Sequence, residues 1–289
     1  ANDDSTGGSI SIHSGFSSIR SSGTIIIKTL DAGTTGVSGE LMFSTGTTSS
    51  GASGSISIGT GTTEGGESGG ITIDVGTTTT ASKGGDVTVR AGITTGTVGA
   101  YSENGGTITL QAGDSEGNTI GNGGLINIYA GDSKSRTGGT ISMQSGFGLK
   151  TSSGSILIQT LNAGTKGISG ELMFSTGTTS DGASGDISIG TGTASAGDGG
   201  DIKITVGDGN TLDGGHISLF AGKTDAPKTN HATGGSISIH TGYSTESTSG
   251  SLIIRTLNAG IDGVSGELMF STGTTSDGAS GDISIGTGT

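Results

Sequence analysis

Apolar residues recur in this chain at fixed distances from glycines, two and four positions later, in units of about fifteen residues. Ile10 and Ile12 follow Gly8, Ile25 and Ile27 follow Gly23, Leu41 and Phe43 follow Gly39, and Ile56 and Ile58 follow Gly54. The register continues through Gly69, Gly85, Gly106, Gly124, Gly139, Gly154, Gly170, Gly185, Gly200, Gly215, Gly235, Gly250 and Gly266 to Gly281. It comprises 18 units, each with Ile, Leu, Val, Met or Phe at both positions. Alternation puts Ile56 and Ile58 on one face and Ser55 and Ser57 on the other, which predicts one short half-buried β-strand per unit. Glycines at both ends of the strand predict tight corners with positive φ.

A hairpin meander needs strands on both sides of each turn, whereas here one strong strand recurs per unit. The period therefore predicts an all-β fold, a parallel β-solenoid (β-helix) of about 15 residues per coil and 18 coils around a thin Ile-rich core. At about 4.8 Å per coil the rod would be about 85 Å long. The sixth position after each anchor glycine is small or moderate, as in Ser14, Ala91, Ala112, Ala130, Ser145 and Ala221. That predicts a flattened coil whose second layer is made of Gly, Ser, Ala and Thr.

The units are organised at a second level. Four-coil cassettes occupy residues 8–68, 139–199 and 235–289, with intervening coils at 69–138 and 200–234. Residues 169–193 are identical to 265–289, and the matching stretch 38–62 differs only at Ser50 and Ser55, where the later copies carry Asp181 and Asp186, then Asp277 and Asp282. Residues 1–289 read as one continuous solenoid that stops inside a cassette, so the expectation is a part of a longer chain, with end-to-end stacking of short chains as the alternative. Longer spacings after Gly85, Gly106 and Gly215 read as tolerated insertions on the return side.

Composition excludes several classes. With 63 Gly, 28% hydrophobic and 3% aromatic residues, a chain of 289 residues cannot fill a globular core of its size. The strict apolar columns argue for order rather than low-complexity disorder. A net charge of -13 with 12 scattered Lys and Arg argues against nucleic acid as a partner. The lack of cysteine removes disulfides and thiolate metal sites. No apolar run approaches the roughly 20 residues of a membrane span, so membrane insertion is not expected. The start Ala1-Asn2-Asp3-Asp4 does not read as a signal peptide. None of the asparagines stands in an Asn-x-Ser/Thr sequon, while the many Ser and Thr leave O-glycosylation open.

Outward positions decide what such a rod presents. The third position after the anchor is Ser, Thr, Asn or Lys in most units, but the second and third units of every cassette carry Ile26 and Met42, Leu157 and Met173, and Ile253 and Met269. A recurring apolar spot on a hydrophilic rod predicts a lateral-contact surface. The competing reading is a local wrap in which Leu30, Leu161 and Leu257, which replace the closing glycine in the second units, cover those residues.

Other candidate chemistry is thin. Thr-x-Thr occurs at Thr45/Thr47, Thr60/Thr62, Thr176/Thr178, Thr191/Thr193, Thr272/Thr274 and Thr287/Thr289, and regular threonine ranks resemble insect-type ice-binding proteins. The likeness covers two adjacent units per cassette, and strand propensity also accounts for these threonines. The stretch 208–214 has Leu212 at a ligand position of a calcium loop and lacks the closing Glu, so only weak, non-specific divalent cation binding, for instance at Asp186 and Asp201, is expected. Gly222-Lys223-Thr224 lacks the earlier glycine of a phosphate loop, since Ile217 stands there. His13 and His240 are equivalent by repeat but Gln144 replaces them in the middle cassette, and His216 and His231 have no partner in pattern. Neither a catalytic set nor a cofactor site is expected.

With its Ser-Gly-x-Ile-x-Ile-x-Thr-Gly-Thr units, the whole chain resembles the large Gly/Ser/Thr-rich repeat proteins of diatoms and related algae and, more distantly, bacterial β-solenoid adhesins. The resemblance implies an extracellular or cell-surface structural protein: a filament, fibre or appendage. The expected function is accordingly a filament built by stacking of β-coils, with self-association into filaments or bundles and with matrix or polysaccharide components as further partners. An adhesin stalk or ligand-binding solenoid is the alternative, and an ice-binding protein the second.

Overall fold

The structure, a computed structural model, describes residues 7–80, 82–95, 104–116, 120–227 and 232–287. Backbone proximity groups the chain into two units, Ala1–Met143 and Gln144–Thr289, with the division falling inside the repeat that starts at Gly139. In each of the two, the described part of the run from an anchor glycine to the seventh residue after it contains no bend or turn. The backbone bends in the connecting segments, for example at 18–20, 64–66 and 134–136 in the first and at 195–197, 210–212 and 245–247 in the second. The apolar runs are thus straight, as alternation of side chains demands.

They are not paired. Among the described residues there is no strand, sheet or helix, and no backbone hydrogen bond joins a residue to its counterpart one repeat away. The parallel β-solenoid with 18 stacked coils, the expected reading of the period, is therefore overturned, and the β-helix description with it. So is the thin Ile-rich core: no described residue is buried, and the side chains of the two apolar columns are 47% to 93% exposed. The accessible surface is 29270 Å². A compact chain of this mass would expose about 11,000 Å² and a fully unfolded one about 40,000 Å². Two aliphatic side chains per fifteen residues supply too little burial to offset the ordering of the glycine- and serine-rich return segments, so the columns do not close on one another.

What the repeat builds instead is a junction. Each anchor glycine from Gly23 to Gly281 lies against the side chain at the sixth position of the preceding unit: Gly23 on Ser14, Gly39 on Thr29, Gly54 on Thr45, Gly106 on Ala91, Gly139 on Ala130, and in the second half Gly154 on Ser145, Gly185 on Thr176 and Gly266 on Thr256. The room left for a side chain differs between junctions, from ordinary contact at Gly185 and Gly281 to none at Gly85 and Gly215. A Cβ at Gly85 would stand 2.6 Å from Val75 Cγ1, and one at Gly215 would stand 2.5 Å from Val206 Cγ1. Several junctions add one backbone hydrogen bond from the anchor to the glycine just after that sixth position. The N–H of Gly23 donates to the carbonyl of Gly15 at 3.0 Å, Gly139 to Gly131 at 2.8 Å, Gly154 to Gly146 at 2.9 Å and Gly235 to Gly222 at 2.8 Å.

At Gly85 and Gly215 close approach rather than dihedral freedom calls for glycine, whereas at Gly69, Gly185 and Gly281 a Cβ would meet only ordinary van der Waals contact; the expectation of positive φ at the corners is corrected. Among the described residues only Gly51 and Gly182, equivalent positions of two cassettes, have positive φ, at 128° and 116°. The second unit of each cassette leads into a β-turn before the next anchor. Gly36 donates to Gly33 at 3.3 Å, Gly167 to Gly164 at 3.2 Å and Gly263 to Gly260 at 3.3 Å.

The close contact sets a test. In Gly215→Ala the new methyl collides with Val206, and the nuclear Overhauser contact between the Val206 methyls and residue 215 is expected to vanish. Gly207→Ala, at a site with nothing within 4 Å, should leave that contact intact. Equal behaviour of the two variants would refute the junction.

Candidate contact surface

The six residues singled out by the cassette pattern occupy the midpoints of straight segments. Ile26, Leu157 and Ile253 lie on the segment before the Gly-x-x-Gly turn, and Met42, Met173 and Met269 on the segment after it. The structure leaves all six open, at 68% to 77% exposure. No leucine wraps over them: Leu30, Leu161 and Leu257 are themselves 76%, 78% and 74% exposed. Val37, Ile168 and Val264, just before the next anchor, are open as well. Each cassette thus carries open apolar residues along one straight segment, beside the turn and on the next segment, here called the strip.

Two charged positions share the face of the strip. In a straight segment the first, third and fifth residues after the anchor project to the same side. The first position is Glu40, Glu171 and Glu267 in the Met segments, and the fifth is Lys28, Gln159 and Arg255 in the Ile/Leu segments. None of these forms an ion pair. Among the described residues the ion pairs are Lys83–Asp86 at 2.7 Å and Lys223–Asp225 at 2.9 Å. Both are solvent-exposed, where such pairs contribute little.

The remaining candidates are dispersed. Among the described residues there is no cavity, no group of three or more His, Asp or Glu able to hold a metal ion, and no buried polar atom without a partner. Asp208 and Asp213 flank a bend at 210–212 without gathering a ligand shell, and Asp186 and Asp201 belong to no such group. His13 hydrogen-bonds through Nε2 to Ser11 Oγ, while His240 and His216 are open. His231 and Thr289 lie outside the described residues. Lys223, in the loop that holds the proline, is engaged with Asp225 and faces no phosphate-binding turn.

The threonine ranks have another task. In Thr-x-Thr pairs the first residue, as at Thr45, Thr60, Thr176, Thr191 and Thr272, is the one that rests on the following anchor glycine. Thr191 Oγ1 also donates to the carbonyl of Gly200 at 3.1 Å. These residues take part in the junctions.

The junction itself is the arrangement that the apolar pattern did not reveal, although a signal for it exists. Where the sixth position is Ala or Val, the residue before the next anchor is Gly, as in Ala91/Gly105, Ala130/Gly138, Val75/Gly84 and Val206/Gly214. Where it is Ser or Thr, that residue is Ser, as in Ser14/Ser22, Thr45/Ser53 and Thr256/Ser265, with Thr191/Gly199 as the exception. Two positions that vary together across a connecting loop are the mark of a contact.

Open methionines should react as such. With dilute hydrogen peroxide and the chain at low concentration, Met42, Met173 and Met269 are expected to form sulfoxide within about twofold of the rate of Met143, read by peptide mass spectrometry. Selective protection of the three would contradict their exposure. No protein-family model, curated protein or solved structure matches the chain.

Proposed function

We propose that this chain is a structural repeat protein of extracellular or cell-surface material, which works by self-association into filaments or bundles. One observation carries the reading: a similar set of apolar residues recurs in three related cassettes and lies open in each of them. Burial of a large aliphatic side chain contributes about 1.5–3 kcal/mol, so a single strip is a weak contact. Three strips on one chain act together, because the first contact raises the effective concentration of the next. Repetition is then the functional feature, and the number of cassettes sets the strength of association. The likeness of the units to Gly/Ser/Thr-rich repeat proteins of algal surfaces supports the same location, with matrix and polysaccharide components as further partners.

The net charge of -13 works against close packing of copies. Salt shortens the reach of that repulsion to about 10 Å at 0.1 M and about 3 Å at 1 M. Assembly should therefore strengthen with ionic strength, and divalent cations act here as screening ions.

The reading is tested with Met42, Met173 and Met269 changed together to Lys, which places a charge at the middle of every strip. Sedimentation velocity and electron microscopy are expected to show loss of the bundles that the parent chain forms, while the Met→Leu counterpart retains them. Unchanged assembly in the lysine variant would sink the proposal.

A further inference from the structure

The strip is asymmetric, and its asymmetry selects a partner and an orientation. One segment reads Thr24, Ile26, Lys28 along the shared face, and the other reads Glu40, Met42, Ser44. In the third cassette the corresponding residues are Ser251, Ile253, Arg255 and Glu267, Met269, Ser271, and in the middle one Ser155, Leu157, Gln159 and Glu171, Met173, Ser175. Acid thus stands at the beginning of every Met segment, and base at the end of the Ile segment in the first and third cassettes, with the neutral Gln159 in the middle one. Neither is paired within the chain, and both flanking apolar residues are open.

We propose, resting on the self-association reading above, that the strip docks on a second copy of this chain in antiparallel register, with the Ile segment of one copy on the Met segment of the other. In that register Glu40 faces Lys28, Met42 faces Ile26 and Ser44 faces Thr24. Glu267 faces Arg255 likewise, and in the middle cassette the Gln159 amide donates a hydrogen bond to the Glu171 carboxylate. The other registers fail on charge. A parallel arrangement sets Lys28 against Ser44 and Glu40 against Thr24, leaving both charges without partners. Two Met segments side by side in parallel oppose Glu40 to Glu40, and in antiparallel order they oppose it to Ser44. Each cassette holds one segment of each kind, so a two-fold pair of cassettes makes the Ile-on-Met contact twice with the same residues, an isologous interface, and the three cassettes of a chain are free to pair with different copies.

Complementary charge fixes register and suppresses wrong partners more than it adds affinity. The apolar centre supplies the attraction, and the Glu–Lys and Glu–Arg pairs decide the direction in which a copy approaches. A second copy is the occupant that fits best, because the strip carries the complement of its own pattern.

Two measurements test the register. Mixed 14N and 15N chains are treated with a carbodiimide, which joins a carboxylate directly to an amine. Mass spectrometry should find Glu40–Lys28 links carrying one label on each side, and Glu40–Lys28 links found only within a single chain would overturn the arrangement. In parallel, Glu40→Lys, Glu171→Lys and Glu267→Lys are combined in one variant. Its self-association is expected to weaken by about tenfold, and mixing it with Lys28→Glu, Gln159→Glu, Arg255→Glu chains should restore assembly between the two variants. Unaltered association of the Glu→Lys variant, while the Met→Lys variant of the previous section dissociates, overturns the antiparallel register and leaves the apolar contact standing. Unaltered association of both overturns the two proposals together.

Discussion

Order in this chain rests on a contact between a glycine with no side chain and a small residue one loop earlier. At Gly85 and Gly215 the neighbouring valine methyl already fills the place that a Cβ would take. The interaction is a packing one, reinforced in some units by a single hydrogen bond such as Gly235 to Gly222. Because both partners belong to adjacent units, the contact repeats with the sequence and needs no distant part of the chain. Everything else described above follows from its local character. Straight segments run between junctions, loops close at them, and the apolar columns are left without cover.

That exposure is what gives the repeat its functional reading. A chain that buried Ile25, Ile27, Leu41 and Phe43 internally would present serine, threonine and glycine to its surroundings. Here the columns and the Ile26/Met42 strip are open together, so apolar surface is available on both faces of a segment. An apolar surface on this scale marks a site of interaction, and it is the ground of the self-association reading proposed above. The single residues that bear chemistry elsewhere, such as His13, Lys223 and Asp208, stay scattered and give no competing focus.

The sequence placed the bends of the chain correctly but not its fold. The anchor spacing, the straight apolar runs and the confinement of bends to the loops all follow from alternation and glycine placement, as at residues 54–61. Stacking did not follow, because a period of fifteen says where like residues recur and nothing about whether two aliphatics per unit can hold a sheet closed. The role of the anchor glycines was misread for a related reason. Glycine serves both positive φ and close approach, and only the neighbour at the sixth position, Val75 for Gly85 or Thr45 for Gly54, distinguishes the two. The paired change of Ala91 with Gly105 and of Thr45 with Ser53 carried that information, at positions that an apolar count passes over. Of the candidate surface, the apolar members Ile26, Met42 and their counterparts stood out by contrast with serine and threonine. Their charged companions Glu40 and Lys28 did not, since they acquire meaning only when two segments are set against each other.

The same closure accommodates loops of unequal length. Gly23 reaches back to Gly15, Gly124 to Gly113 and Gly106 to Gly92, all through the same kind of bond. Closing a longer loop adds little cost, since the entropy grows only with the logarithm of its length. Each loop is thereby a store of slack. Seven residues lie between Gly15 and Gly23, and releasing that one clasp frees about 25 Å of contour. Under tension the chain would yield one clasp after another, lengthening in steps while its neighbours hold, and would recover as each glycine finds its small partner again. Extension of the chain is thereby divided into small, separately reversible increments.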